Sequence, residues 1–272
     1  MKSHLSNIPL YLAVVVILLF TYFPLYVLFL IAFTPSTSTV AAVYPSLYPA
    51  GLTSENLVDA FQIPQITQAL YKSLEVAFMV GGIALLIGIP AAYGLSRIKP
   101  GLANLISSTL FLANMMPAVT IAIPISVTFL SIGLNETPVA LALAQELVVL
   151  PLTVFMLLGS FQSLPRDIIN QARVDGCGLL SAVYTVIVPL AKSGVAAAFI
   201  LSWMVSWDEF TFAVFLSPIH PTLPILIYIY ITRGYILDAA AFSVLVTLPV
   251  VLLVIVLSRF LRGEFLAGGI NG

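Results

Sequence analysis

Residues Pro165 to Pro189 read PRDIINQARVDGCGLLSAVYTVIVP, and their polarity is unlike anything around them. Arg166, Asp167, Asn170, Gln171, Arg173 and Asp175 crowd together between apolar runs that carry no charge. Charge this dense is costly in hydrocarbon, so the stretch belongs in water between two membrane spans. Pro165 suits the first turn of a helix, where a missing N–H removes no bond. Gly176 and Gly178 suit its end, because glycine readily takes the left-handed cap. The apolar pattern resumes at helical spacing with Leu179, Leu180, Val183 and Val186. The expectation is helix, glycine corner, second helix: an elbow over 165–189 lying along the membrane surface.

The rest of the chain supplies the membrane. It is 61% hydrophobic and 8% charged, against about 25% charged in ordinary soluble domains. That contrast defines an all-α polytopic membrane protein, read as a single transmembrane domain over residues 1–272. Expected spans are Ile8–Phe33, Tyr71–Leu95, Leu102–Ile132, Val139–Phe161, Ala191–Leu216 and Ala239–Leu261. Each reaches or approaches the length of about 20 residues that crosses a bilayer. Ile8–Phe33 is too long an apolar core for a cleaved signal peptide, with Pro24 a tolerated kink. Leu102–Ile132 is long enough to tilt or break near Pro117 and Pro124. Thr34–Leu70, with Glu55 and Asp59, reads as a structured loop outside the membrane. Gly133–Pro138 reads as a tight turn, and Ser217–Asp238 as an outer loop with a partly re-entrant option.

Six spans put both termini on one side. Lys2, Arg97, Lys99, Arg166, Arg173, Lys192, Arg259 and Arg262 share the side of the elbow, while Lys72 and Arg233 fall opposite. The positive-inside rule makes the elbow and both termini cytoplasmic. The single cysteine, Cys177, excludes an internal disulfide. His4 and His220 lie apart from any acidic cluster, which argues against a metal site. With no basic run, nothing points to nucleic acid. No nucleophile, base and orienter form a readable set and no Gly-x-x-x-x-Gly-Lys loop is present, so the expectation is that the chain does not hydrolyse ATP itself.

Chemistry concentrates in the fifth span, at Ser202-Trp203-Met204-Val205-Ser206-Trp207-Asp208-Glu209-Phe210. On a continuous helix Trp203, Trp207 and Phe210 share one face, and Ser202, Ser206 and Glu209 the next. Such a wall suits a sugar, whose rings stack on aromatics and whose hydroxyls donate to carboxylates. The same residues also suit an interfacial aromatic belt with a carboxylate that fixes helix packing. Gln145 and Glu146 in the fourth span pose the same choice between a pathway and a helix-bridging bond. Asn114, with Met115 and Met116 before Pro117, fits either a pore-lining bend or a proline kink filled by flexible methionine.

The order Asn170-Gln171-Ala172-Arg173-Val174-Asp175-Gly176, followed by Val186-Ile187-Val188-Pro189, resembles the EAA loop of ABC importer permeases. Asn170 stands where that family has Glu, and Gln171 where it has its first Ala. The Leu223-Pro224 and Leu248-Pro249 pairs and the tail Phe265-Leu266-Ala267-Gly268-Gly269 resemble the MalG-type permeases of carbohydrate importers. Importers of polyamines, phosphate or sulfate share the elbow but usually carry Leu-Gly in place of Asp175-Gly176.

The resemblance implies the type I importer permease fold, with the elbow a coupling helix docked on an ATPase subunit. It implies a second, MalF-like permease, two ATPase subunits, an extracytoplasmic binding protein and a sugar as cargo. ATP and Mg would sit on the ATPase subunits, with no cofactor on this chain, and the cycle would be alternating access. The coupling residues carried over are Arg166, Asp167, Asn170, Gln171, Ala172, Arg173, Asp175 and Gly176. A glycerol-phosphate or polyamine importer remains open, as does a proton-coupled carrier with Glu146, Asp208 and Glu209 as relay. The lack of an inverted repeat weighs against that carrier.

Overall fold

The computed structural model describes residues 8–35, 47–48, 51–165 and 167–268. The expectations on Lys2, His4, Arg166 and Gly269, and on the side chains of Arg259 and Arg262, fall outside what is described. Secondary structure among the described residues is helical throughout. The helices are α1 (Ile8–Ala32), α2 (Glu55–Gln62), α3 (Pro64–Arg97), α4 (Pro100–Ala113), α5 (Ala118–Ser131) and α6 (Pro138–Gln162). They continue as α7 (Asp167–Val174), α8 (Leu179–Leu190), α9 (Lys192–Trp207), α10 (Thr211–Leu216), α11 (Leu223–Thr232) and α12 (Ile236–Gly268).

Among the described residues, four helices are long and apolar enough to cross a membrane: Pro9–Ala32, Pro64–Arg97, Pro138–Gln162 and Ile236–Ser258. Counting α8 with α9 as one bent span makes five. Several expected boundaries change. The second span starts at Pro64 rather than Tyr71, because a proline at the first helical position is free of any bond to lose. Part of the expected loop 34–70 is helix α2. The expected third span is two helices. Pro117, extended at φ −56° and ψ 128°, separates α5 from α4, which stops at Ala113, whereas Pro124 is carried inside α5. The expected fifth span also breaks, between Trp207 and Thr211. The outer loop contains α11, and the last helix starts at Ile236 and runs on to Gly268.

The chain forms two compact units. One comprises the residues up to Gln68 together with Leu226–Pro249. Its centre is a small apolar cluster of Ala32, Ala240 and Val244. There Asn56 donates to the carbonyls of Ala32 and Thr34 at 3.0 and 2.7 Å, so α2 satisfies the orphan carbonyls at the end of α1. The window of α1 that would cross a membrane is 6% buried, as suits a helix facing lipid or another subunit.

The other unit, Ala69–Ile225 with the residues from Val250 on, holds the elbow and the polar seam. Its principal packing is α6 along α9, with α10 seated on α5 and α6. Backbone approach sets the first of these. A Cβ on Gly194 of α9 would overlap the Ser160 hydroxyl of α6, the close contact that small residues permit between membrane helices. From α3, Phe78 meets Trp203 edge-on at 5.9 Å. Beneath lies an apolar cluster of Ile89, Tyr93, Leu157, Phe161, Val183 and Ile187, into which Ile169 of α7 also inserts.

Candidate coupling and translocation site

The elbow forms as its residues require. Cys177 donates its N–H to Ala172 at 3.0 Å and Gly176 to Arg173 at 3.1 Å, the paired bonds of a Schellman cap. Gly176 sits at φ +92°, where a side chain is strained. Gly178 plays a different part from the one expected: with φ −63° and ψ 157° it is the extended N-cap of α8. Inside α8, Val183–Ile187 is a π turn. Pro189 lacks an N–H and its ring would clash with the Thr185 carbonyl, so the coil widens and Val188 donates five residues back, to Val183. At Ala191 the chain then bends by 89° into α9.

One buried residue, Ile169 at 4% exposure, seats α7 on the bundle. The opposite face is open. Asp167, Asn170, Gln171 and Val174 follow the i, i+3, i+4, i+7 spacing of one helical stripe, and with Asp175 they line a shallow groove of about 510 Å³. Arg173 is exposed, Ala172 half-buried. Val174 is 87% exposed and Leu180 is 66% exposed, so the elbow presents apolar side chains beside its polar ones.

The seam between α6 and α9 collects much of the expected pathway set. Ser206 donates to Gln145 Oε1 at 2.5 Å, and Gln145 Nε2 reaches Glu209 Oε2 at 3.5 Å. Glu209 accepts the N–H groups of Phe212 at 2.8 Å and Ala213 at 3.2 Å, which caps α10. Ser202 pairs with Thr153 at 2.7 Å. Trp203 and Trp207 stack at 4.8 Å with planes 12° apart, and both are buried.

Because α9 ends at Trp207, the face expected for Phe210 with Trp203 and Trp207 does not hold, whereas Glu209 still meets Ser206 through Gln145. Glu209 turns inward to its cap, while Asp208 and Phe210 are exposed at the break. Glu146 lies apart from the seam, as its position one residue along α6 requires. Its carboxylate is buried and has no hydrogen-bond partner among the described residues. Asn114, half-buried, donates to the Val148 carbonyl at 3.1 Å and so pins the α4–α5 break to α6.

Sequence reasoning missed Thr153 and a clasp around Glu136, in the turn that leads into α6. The Glu136 carboxylate accepts N–H groups from Ile219 and His220 at 3.0 Å each and the Ser217 hydroxyl at 3.0 Å. Lys72 donates to the Glu136 and His220 carbonyls at 2.9 Å each, and also to the Ser217 hydroxyl. Burial alone would raise the Glu136 carboxyl, but these N–H and hydroxyl donors and the Lys72 charge hold it below its ordinary value. The turn's Gly133–Pro138 spacing was legible; its partners, far off in the chain, were not.

Among the described residues no group of His, Cys, Asp or Glu could hold a metal ion. What the arrangement offers is mechanical: an exposed amphipathic α7 seated by one isoleucine, joined through α8 and a tight α6–α9 pair to a break where Asp208 is exposed. Residues 84–263 match the family described as the binding-protein-dependent transport system inner membrane component, and the chain belongs to that family. It is thus a transport subunit of the inner membrane, with the fold of type I ABC importer permeases. It is 31% identical over 277 residues to the inner membrane ABC transporter permease protein YcjP of Escherichia coli (strain K12), covering 100% of this chain and 99% of that one. It is 30% identical over 279 residues to the sulfoquinovosyl glycerol transport system permease protein SmoH of Agrobacterium fabrum (strain C58 / ATCC 33970), covering 100% and 97%. The crystal structure of a bacterial ABC transporter involved in the import of the acidic polysaccharide alginate aligns with TM-score 0.75 and 17% identity, over 95% of this chain and 98% of that one.

Proposed function

We propose that the chain is one of two different permeases in an ATP-driven importer of a sugar or oligosaccharide, with its elbow docked on an ATPase subunit. The observation that carries this is the elbow's two-faced seating: Ile169 buried, and Asp167, Asn170, Gln171 and Val174 turned out around an open groove. Val174, Leu179 and Leu180 are all exposed on the elbow among its polar residues, and apolar surface grouped within a polar rim supports a protein-binding face. The sugar class is supported by the glycoside named for SmoH, a relative that aligns along the full chain.

In this reading the partners are a MalF-like permease, two ATPase subunits that hold ATP and Mg, and an extracytoplasmic binding protein. The chain itself binds no cofactor. The elbow and both termini face the cytoplasm, and six crossings are made, with α4 and α5 as the halves of a broken one. ATP-driven closure of the ATPase pair moves the elbows, and the tight α6–α9 pair carries that displacement to the α9–α10 break as a rigid unit. Asp208 and Phe210 at the break are the members of the fifth-span set open to a hydroxylated ligand. The Gln145–Ser206–Glu209 seam holds the wall together.

Reconstitution tests the assignment. Proteoliposomes with the permease pair, ATPase and binding protein should take up labelled sugar only with ATP on the elbow side. Uptake driven by a proton gradient without ATP would replace this reading with the proton-coupled one.

A further inference from the structure

At the end of α3 lies a cavity that the transport reading does not use. It has a volume of about 370 Å³ and is walled by the last turn of α3, the first turns of α4 and the end of α6. Its lining carries a single charge, that of Arg97, together with the amides of Asn104 and Gln162 and no acidic side chain. Arg97 stacks over the Tyr93 ring, 5.0 Å from its centroid. Its Nε and Nη2 nitrogens are buried and have no acceptor among the described residues. A buried donor without an acceptor is rare in a folded protein and most costly on a charged group. Asn104 and Gln162 are both exposed, and so are free to turn to a ligand.

These groups match one chemistry. A planar guanidinium with an unmet Nε and Nη2 pair is the fork that binds a tetrahedral oxyanion through two parallel bonds. Amides on the facing walls can donate to its remaining oxygens. Depth narrows the class further. Two helices long enough to cross a membrane, α3 and α6, both end at this cavity, so it lies at a membrane boundary, where phospholipid phosphates are concentrated. We propose that the cavity binds a phosphate group, held by the Arg97 guanidinium and flanked by Asn104 and Gln162. The phosphate comes on a lipid headgroup or free from solution. Tyr93, on which Arg97 rests, belongs to the apolar cluster that seats Ile169, so the bound phosphate stiffens the ground beneath the elbow. The site stands whichever solute the protein carries.

The test uses the full chain purified in detergent. One arm adds phosphatidylglycerol or phosphatidylcholine and counts retained lipid by native mass spectrometry. The other adds inorganic phosphate and follows thermal unfolding against chloride at matched ionic strength. Wild type should retain one phospholipid or be stabilised by phosphate; lipid alone assigns a headgroup, and phosphate alone a free anion. Arg97→Gln should weaken whichever response is seen by about tenfold or more, since it removes the charged fork. Asn104→Ala with Gln162→Ala should weaken it by several fold. These two positions are exposed, so the double variant decides the matter should Arg97→Gln fail to fold. No response in either arm, or an unchanged response in the folded variants, overturns the site.

Discussion

Lys72 Nζ donates to the backbone carbonyl of Glu136 at 2.9 Å, so a cation on α3 holds the turn that leads into α6. Glu136 sits at φ +68°, a backbone region that costs a non-glycine residue about 1–2 kcal/mol. The clasp keeps it there: its own N–H reaches the Leu216 carbonyl at 2.9 Å while its carboxylate gathers in the 217–220 segment. Lys72→Met should lower stability by about 1–3 kcal/mol, because it leaves the acceptors around the ammonium unmet. Limited proteolysis should then open the segment after Leu216 first.

The same clasp should respond to acid in a defined direction. The Glu136 carboxyl is held below its ordinary value of 4.5 in the folded protein. Its contribution is therefore fully present above that ordinary value and is lost as pH falls through the folded one. Melts of wild type minus Glu136→Gln should show a difference that shrinks as pH falls below about pH 4. A difference that instead grew as pH fell below about pH 4 would contradict the clasp.

Gly194 is a packing position. A Cβ there would overlap the hydroxyl of Ser160 and lie 2.5 Å from its Cβ. Gly194→Ala should cost about 1–3 kcal/mol by overpacking. Adding Ser160→Gly should recover most of that, less about 1 kcal/mol for a glycine within a helix. Thermal melts of the single and double variants measure the recovery, and none at all would mean that the two helices do not meet there.

Gly176 separates coupling from folding. Nothing lies within 4 Å of where its Cβ would be, so a side chain meets only the backbone penalty of the positive φ, about 1–2 kcal/mol. Gly176→Val should leave the protein in the membrane, with its melt lowered by no more than that penalty accounts for. It should also reduce ATPase co-purification and coupled ATP turnover, since a distorted corner no longer fits a preformed cleft. Normal assembly with normal turnover would remove the elbow from the coupling interface.

At the α9 break, two adjacent acids should part company. Glu209→Ala removes the acceptor for Phe212 and Ala213 and should cost about 0.5–2 kcal/mol, as the loss of a helix cap does. Asp208→Asn changes an exposed side chain and should leave the melt in place, so any loss of uptake in that variant reports on the pathway. Equal melts for the two variants would show that Glu209 is not a cap.

Much of this was legible in the residues alone. The charged island at 166–175 in an apolar chain marks an elbow in water, and Asp175-Gly176 marks its corner, because a Schellman cap needs only local geometry. Apolar composition defines the class, while local proline chemistry allows a tilt or break near Pro117 or Pro124 and leaves the choice of Pro117 to the structure. Glu209 was harder to read. An unbroken helix predicts its place beside Ser206, which Gln145 keeps, but not that α9 stops at Trp207 and lets the carboxylate cap the next helix. The Glu136 clasp and the Arg97 cavity could not be read from spacing, since their parts come from segments far apart in sequence.

The sequence by itself determined the membrane class, the elbow and its glycine cap, for these follow from hydropathy and from φ preferences that act over a few residues. Only the tertiary structure decided which polar groups are met and which are not. Gln145 found Ser206 and Glu209, Lys72 found Glu136, and the Glu146 carboxylate and the Arg97 Nε and Nη2 found no partner among the described residues. A hydrogen bond needs its two atoms within about 3 Å of each other, and only the packing of whole helices brings distant residues that close.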